Sequence, residues 1–270
     1  LDAKPAVVGL IVTAATVGSV LGTASAAPLS DAVGRRTTLR LASLLFVVAA
    51  ALLAWSPSVH VLVGARMLAG LAIGNAGAAV PVYIAEVADS EQRGALATIP
   101  QLFISSGILL SYVVCLALGI LLGGRPWRAM LGVSVLPALL FAACMIALPE
   151  SPRWLASRGR ADEARAALAR LRGVHAGQTR LIEAEYKELE RSLPRRPAVL
   201  GGATAAAVTP ATPRRGLLSL LSTPRLRRTL GVVAVLQALQ QFSGINAIVD
   251  FTPQTLRAAG VARLLAPLRI

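Results

Sequence analysis

Long apolar segments alternate with short charged segments along most of this 270-residue chain. Six segments contain no Asp, Glu, Lys or Arg, and each is close to or above the roughly 20 residues that cross a bilayer. The pattern therefore predicts an all-α fold, a polytopic membrane helix bundle. The predicted helices cover residues 6–28, 38–55, 59–85, 94–121, 127–148 and 229–250.

The charge content favours the same class of protein. Only 15% of the residues are charged, whereas a soluble domain carries about a quarter. The formal net charge is +14, and most of it lies between Arg153 and Arg228, in a stretch flanked by apolar segments. The positive-inside rule explains this stretch as cytoplasmic, and no basic groove interleaved with aromatic residues predicts nucleic acid as a partner. The hydropathy excludes a soluble enzyme.

Every second loop is basic, which predicts the orientation of the helices. The loop after the first helix, the turn at 86–93 and the segment 150–228 face the cytosol, whereas the uncharged loop at 56–59 faces the opposite side. We predict three parts: five helices of an N-terminal bundle at 1–149, the cytoplasmic helical segment, and the first helix of a second bundle with a short tail at 229–270.

The cytoplasmic segment is predicted to be partly helical. Asp162 and Glu163 lie in the first turn of a helix that runs to about Leu171, where acidic side chains complement the helix dipole. Residues 194–213 have no periodicity and are predicted to form a Pro/Ala/Thr linker. Between these two parts, apolar residues repeat on one predicted helix face: Ile182, Tyr186, Leu189 and Leu193.

No residue pattern predicts a disulfide, a metal site or a cofactor. Cys115 and Cys144 both lie inside apolar segments, and His60 and His175 are isolated from each other. No nucleophile is paired with a base, so we predict no enzymatic activity and no cofactor.

A charged turn runs from Asp31 to Arg36, between the first two helices. Gly34 suits a tight turn because glycine tolerates positive φ. Arg35 and Arg36 cannot enter lipid, and Asp31 can accept hydrogen bonds from an arginine or a helix N-terminus. The turn either signals topology alone or acts as a charge latch that holds one conformation of a moving bundle.

Two further charged groups lie in and around the third helix. Arg66 lies inside an apolar segment, where an arginine costs at least ~2.5 kcal/mol. It therefore faces the protein interior with a partner, or it extends to the nearby interface. Glu86 and Arg93 flank the next cytoplasmic turn and could pair with each other or with Arg153.

The heptapeptide Pro149-Glu-Ser-Pro-Arg-Trp-Leu155 follows the fifth helix. Its two prolines are predicted to end one helix and to begin another. Glu150 and Arg153 are three residues apart, a spacing that allows them to pair on one helix face.

Amide side chains interrupt two apolar segments. Gln240, Gln241 and Asn246 lie around Gly244 in the sixth predicted helix, and Gln101 follows a proline in the fourth. Buried amides without partners cost several kcal/mol, so the cluster predicts a polar cavity, or else hydrogen bonds between helices. Sugar hydroxyls both donate and accept hydrogen bonds, as an amide does.

The order and spacing of these four motifs resemble the sugar porters of the major facilitator superfamily. The match with residues 100–112 and 252–254 is most similar to plant-type tonoplast monosaccharide transporters. Ala27 stands where the family commonly has Gly, and Asp250 replaces a tyrosine at the extracellular gate. By the family's layout the six helices correspond to the second through seventh of twelve, so we expect a fragment, which by itself is inactive.

The resemblance implies roles for particular residues. The implied sugar-binding residues are Gln101, Ile104, Gln240, Gln241 and Asn246. The implied ion-pair network, which braces the outward-facing state, consists of Asp31, Arg35, Arg36, Glu86, Arg93, Glu150 and Arg153. Arg66 matches an arginine that pairs with an acid on an earlier helix for proton coupling.

The expected function is transport of a monosaccharide, a hexose, by alternating access with protons as the driving force. The expected partners are the sugar, protons and the lipid bilayer of a vacuolar or plasma membrane. Two alternatives remain: a sugar sensor on a transporter scaffold, and a porter of another small solute such as inositol or an organic cation. The amide cluster favours a polyol over a cation, which would need a carboxylate or an aromatic cage.

Overall fold

The computed structural model describes residues 5–89, 91–122, 127–173, 179–193 and 224–244. The predicted linker at 194–213, Asn246, and the gate and tail after it lie outside the described residues. The chain divides into two compact units, Leu1–Arg196 and Pro197–Ile270. All described regular elements are α-helices, so the predicted fold class is confirmed. They are α1 Pro5–Val33, α2 Arg35–Trp55, α3 Val59–Val87, α4 Arg93–Leu122, α5 Trp127–Gly132, α6 Val135–Ala147, α7 Pro152–Ser157, α8 Ala161–Arg172, α9 Thr179–Ser192 and α10 Pro224–Phe242.

Five helical stretches within the described residues are long and apolar enough to cross a membrane. They are Gly9–Val33, Arg35–Trp55, Val59–Val87, Arg93–Leu122 and Trp127–Ala147. The sixth predicted span corresponds to α10, which begins at Pro224 rather than near 229 and ends at Phe242.

The prediction of one continuous fifth helix at 127–148 was wrong, because this stretch is divided into α5 and α6. Pro137 has no N–H to bond the carbonyl of Val133, and its ring disfavours a continuous helix there. The chain instead makes shorter-range bonds, from Ser134 N–H to Leu131 O (3.2 Å) and from Leu136 N–H to Val133 O (3.1 Å). Pro137 then lies in the first turn of α6, where proline is tolerated.

The turn between α1 and α2 is shorter than predicted. Helix α1 continues through Pro28 and Asp31 to Val33, and α2 starts at Arg35. Only Gly34 separates them, with φ at 98°, a conformation that residues with a Cβ rarely adopt. The predicted need for glycine at this position is confirmed.

Helices α1 and α3 pack through glycines on both sides. A Cβ added at Gly70 would overlap the backbone carbonyl of Ala15, and one added at Gly18 would overlap that of Met67. Gly22 and Gly74 are equally close to the facing backbone. Each helix thus carries a Gly-x-x-x-Gly pair, which allows two membrane helices to approach closely.

The helices α7, α8 and α9 share a small apolar core. Ile182 and Tyr186 of α9, predicted to lie on one face, are buried together with Leu155 and Leu168. Helix α8 has Asp162 and Glu163 in its first turn, as predicted.

Candidate functional site

The charged end of the bundle, defined here as residues 30–36, 86–93 and 146–158, contains a largely buried ion pair. The Arg35 guanidinium donates to both carboxylate oxygens of Glu86, with Nε–Oε2 and Nη2–Oε1 distances of 3.0 Å. Their side chains are only 13% and 12% exposed. Arg35 Nη1 also lies 3.1 Å from Asp31 Oδ1 and donates to the carbonyl of Ser30. One arginine therefore joins the end of α1, the start of α2 and the end of α3.

Glu150 binds backbone rather than an arginine side chain. Its Oε1 accepts from the N–H groups of Arg36 (3.0 Å) and Ser151 (2.9 Å). A carboxylate at the start of α2 also complements the positive end of the helix dipole. The predicted pairing of Glu150 with Arg153 is not formed. A Cβ at Gly34 would overlap the Glu150 carboxylate, so any other residue there would have to displace Glu150 from these N–H groups.

Two arginines of α2 bind the end of α6. Arg40 donates to the carbonyls of Met145 (Nε, 3.0 Å) and Ile146 (Nη2, 2.8 Å), and Arg36 Nη2 donates to Ile146 O (3.2 Å). Cationic side chains favour the carbonyl end of a helix. These bonds tie the last membrane helix of the first unit to α2.

The end of α1 is bound by α7 and the residue after it. The Trp154 indole Nε1 donates to the carbonyl of Asp31 (3.1 Å), and Arg158 Nη2 donates to the carbonyls of Asp31 (2.5 Å) and Ala32 (3.0 Å). The Arg158 guanidinium also stacks over the Trp154 ring. The predicted cytoplasmic segment is thereby attached to the membrane bundle.

The seven residues of the predicted network do not form one chain of ion pairs. The structure brings Asp31, Arg35 and Glu86 together, and it uses the Arg36 side chain and Glu150 as helix caps. Glu86 pairs with Arg35 rather than with Arg93. Within the described ranges, neither Arg93 nor Arg153 forms an ion pair.

The pairing of Arg35 with Glu86 predicts strong energetic coupling. In a double-mutant cycle, Arg35→Gln should cost about 3 kcal/mol of unfolding free energy, since it leaves the Glu86 carboxylate without its arginine. Glu86→Gln should cost about 2 kcal/mol, since Arg35 keeps its contact with Asp31. The coupling energy should be about 2 kcal/mol. Unfolding in mixed micelles measures both quantities.

The exposed pair Arg160–Glu163 serves as the control. Its side chains are 49% and 57% exposed, although its N–O distance is 2.6 Å. Coupling of about 0.5 kcal/mol or less is expected there. Equal coupling in the two pairs would contradict the role assigned to the buried one.

The predicted sugar-binding side chains of the first unit lie on α4. This helix has no buried residues, and Gln101 and Ile104 are both exposed. The Gln101 carboxamide makes no hydrogen bond with any described residue. Its amide N–H donors and its carbonyl acceptor therefore remain available to bind a ligand, although the rest of the helix is apolar.

Gln240 and Gln241 lie at the end of α10, not in the middle of a continuous helix as predicted. The helix ends at Phe242, and Gly244 adopts φ 73°, which directs the backbone away from the helical path. Gly244 N–H still bonds the carbonyl of Gln241 (3.1 Å). Gln237 completes an i, i+3, i+4 set with the two glutamines, a spacing that sequence reasoning missed although it was readable from the chain.

Arg66 is half-buried on α3 and takes part in a polar or electrostatic interaction. Its role in proton coupling stays a prediction.

The family model described as "Sugar (and other) transporter" matches residues 2–266. The chain belongs to the sugar transporter family. The prediction of the sugar porter family is therefore confirmed, as is that of a multi-pass integral membrane protein.

Individual members of the sugar transporter family have substantial identity to the chain. Monosaccharide-sensing protein 3 of Arabidopsis thaliana is 49% identical over 175 residues, which is 64% of this chain and 24% of that protein. Plastidic glucose transporter 4 of the same plant is 35% identical over 94% of the chain and 42% of its own length. The chain thus spans about half or less of the relatives it matches.

Solved structures give the same family and fold. The partially occluded inward-open form of the xylose transporter XylE from E. coli has a TM-score of 0.67 and 28% identity, over 91% of this chain and 55% of that one. A structure of XylE described as a proton:xylose symporter bound to 6-bromo-6-deoxy-D-glucose has a TM-score of 0.61 and 28% identity, over 70% and 45%.

Proposed function

We propose that the protein to which these residues belong moves a hexose or similar monosaccharide across a membrane by alternating access, driven by protons. The exposed carboxamides carry the proposal. Gln101 projects from the apolar helix α4 and Gln240 from the second half of α10, whose arginines all lie in its first half, and neither carboxamide makes a hydrogen bond with described residues. A polar group left without partners in an apolar setting costs several kcal/mol. A solute rich in hydroxyl groups supplies both donors and acceptors to each amide.

The ending of α10 beside its amides supports the same proposal. Discontinuous helices are common at transporter binding sites, where the freed backbone groups line a cavity. Gly244, with its positive φ, places such an ending within one turn of Gln240 and Gln241. The relatives include a plastidic glucose transporter and a proton:xylose symporter, which favours a sugar as solute and protons as the driving ion.

The charged end contains contacts that could keep one side of the bundle closed and break when that side opens. Arg35, Glu86 and Glu150 hold the ends of α1, α2, α3 and the segment after α6 in one arrangement. When two conformations differ in free energy by a few kcal/mol, making or breaking such contacts can shift the equilibrium between them. Alternating access needs no covalent step and no cofactor, because it requires only that the solute is held in place and that one side of the bundle opens.

Sensing is the second candidate function. The identity of 49% to a monosaccharide-sensing protein favours it, and so does the attachment of α7 to α1 through Trp154 and Arg158. A sensor would retain sugar binding without net uptake. A polyol porter is the third candidate, supported by 38% identity to probable polyol transporter 4 of Arabidopsis thaliana.

Uptake by a full-length protein in proteoliposomes separates these candidates. We expect accumulation of radiolabelled D-glucose or D-xylose when the medium is acidic relative to the lumen, and little accumulation after a protonophore is added. Uptake of myo-inositol in preference to hexoses would favour the polyol porter. Sugar binding without uptake would favour the sensor, and uptake of an organic cation alone would contradict the proposal.

A further inference from the structure

Helix α4 carries a row of polar side chains on a largely apolar surface. Thr98, Gln101, Ser105 and Tyr112 are three, four and seven residues apart, so they lie on one face of the helix, here called the polar face. All four residues are exposed, and α4 has no buried residues. The row therefore continues one turn beyond Gln101 in both directions.

The Gln101 carboxamide indicates where the polar face is directed. It makes no hydrogen bond with described residues, and an amide without partners is strongly unfavourable in lipid. Polar side chains of membrane helices face the interior of the bundle or a water-filled cavity for this reason. Ser105 lies only about 40° from Gln101 around the helix axis, so it faces the same interior.

The Ser105 hydroxyl can accept a hydrogen bond on this face. Its Oγ donates to the backbone carbonyl of Gln101 at 3.1 Å, which uses its one hydrogen. The lone pairs of Oγ remain, and no described residue donates to them. Four residues of helix separate the two side chains by about 6 Å along the axis. Two hydroxyl groups of one sugar ring can therefore contact Gln101 and Ser105 at the same time.

We propose that Ser105 is a specificity-determining residue of the sugar site, where its Oγ accepts a hydrogen bond from one particular hydroxyl group of the sugar. The inference rests on the proposed function and adds to it. The carboxamides alone accommodate many hydroxylated solutes, because an amide can turn either its donors or its acceptor toward a hydroxyl group. Ser105 offers only an acceptor, one turn away from Gln101, so it requires a hydroxyl group at the matching carbon of the sugar.

Ser111 provides a matched control on the same helix. It is also an exposed serine, and its Oγ donates to the backbone carbonyl of Ile108 at 2.7 Å, a local bond similar to that of Ser105. It lies about 120° from Ser105 around the helix axis and therefore outside the polar face. Replacing either serine by alanine removes the same chemical group, and the two variants differ in the face that loses it.

Uptake of D-glucose and of its monodeoxy derivatives by a full-length protein in proteoliposomes tests the proposal. The ratio of kcat/KM for D-glucose to kcat/KM for each derivative measures how strongly the missing hydroxyl group is required. We expect the unchanged protein to disfavour one derivative about tenfold through this contact, and Ser105→Ala to bring that one ratio close to one. Ser105→Thr keeps a hydroxyl group and should keep the ratio. Ser111→Ala should leave every ratio unchanged.

The outcomes separate this inference from the function on which it rests. Absence of sugar uptake by the unchanged protein would contradict the proposed function and the role of Ser105 with it. Uptake with the same ratios in Ser105→Ala as in the unchanged protein would overturn the role of Ser105 alone. So would an equal change in Ser111→Ala, or a uniform loss for all the sugars in Ser105→Ala, since a merely structural role does not depend on one hydroxyl group of the sugar.

Discussion

Gly70→Val is expected to lower the unfolding free energy of the helix bundle by about 3 kcal/mol. The added side chain must occupy space already taken by the backbone carbonyl of Ala15 on α1. Backbone cannot move aside as a flexible side chain can, so α1 and α3 must separate. Separation would also weaken the contacts that Gly18, Gly22 and Gly74 make in the interface between α1 and α3. Denaturation in mixed micelles or loss of monodispersity on heating measures the effect.

Gly64→Val is the control for that experiment. Gly64 lies on the same helix, and a Cβ there meets nothing within 4 Å. The two variants share the same change in intrinsic helix propensity and differ only in the space available. We expect Gly64→Val to change stability by less than about 1 kcal/mol. Similar losses in both variants would contradict close packing as the reason for Gly70.

Gln240→Ala in a full-length protein is expected to reduce sugar uptake about a hundredfold. The variant removes both the donor and the acceptor of a carboxamide and leaves sugar hydroxyls without their partners, which costs 1–3 kcal/mol or more. The side chain of Gln240 is exposed, so its loss creates no cavity in the described fold. Protein level and membrane insertion should therefore be unchanged. Initial rates of radiolabelled uptake at several sugar concentrations measure the effect.

Gln92→Ala is the matched control for uptake. Gln92 is an exposed glutamine in the turn before α4, outside the membrane-spanning helices. Its replacement should leave uptake within about twofold of the parent, since it removes the same chemical group from a position in contact with water. Uptake by Gln240→Ala at the parent's rate would remove Gln240 from the binding site.

Helix positions could be predicted from the sequence where one physical requirement dominates. Crossing a bilayer demands an uncharged stretch of a certain length, so α2, α3 and α4 lie within a few residues of their predicted bounds. Gly34 was predicted for the turn because few other residues adopt its φ. The face of α9 was predicted because Ile182 and Tyr186 repeat with the helical period.

Partners of charged residues could not be predicted in the same way. Glu86 had several arginines within reach along the sequence, and the choice of Arg35 depends on how α2 and α3 pack. Glu150 has Arg153 three residues away, yet the unsatisfied N–H groups at the start of α2 bind it instead. The Gly-x-x-x-Gly pairs of α1 and α3 were visible as spacings, but only packing shows that they face each other.

The most direct test of the central claim observes the carboxamides themselves. In a full-length protein with ¹⁵N-labelled glutamine side chains, D-glucose is titrated while the amide resonances are followed, with single Gln→Asn variants providing the assignments. The account predicts that the resonances of Gln101 and Gln240 shift in a saturable manner and that the resonance of Gln92 does not. Unchanged resonances of Gln101 and Gln240 at saturating sugar, in a protein that still transports it, would contradict the account.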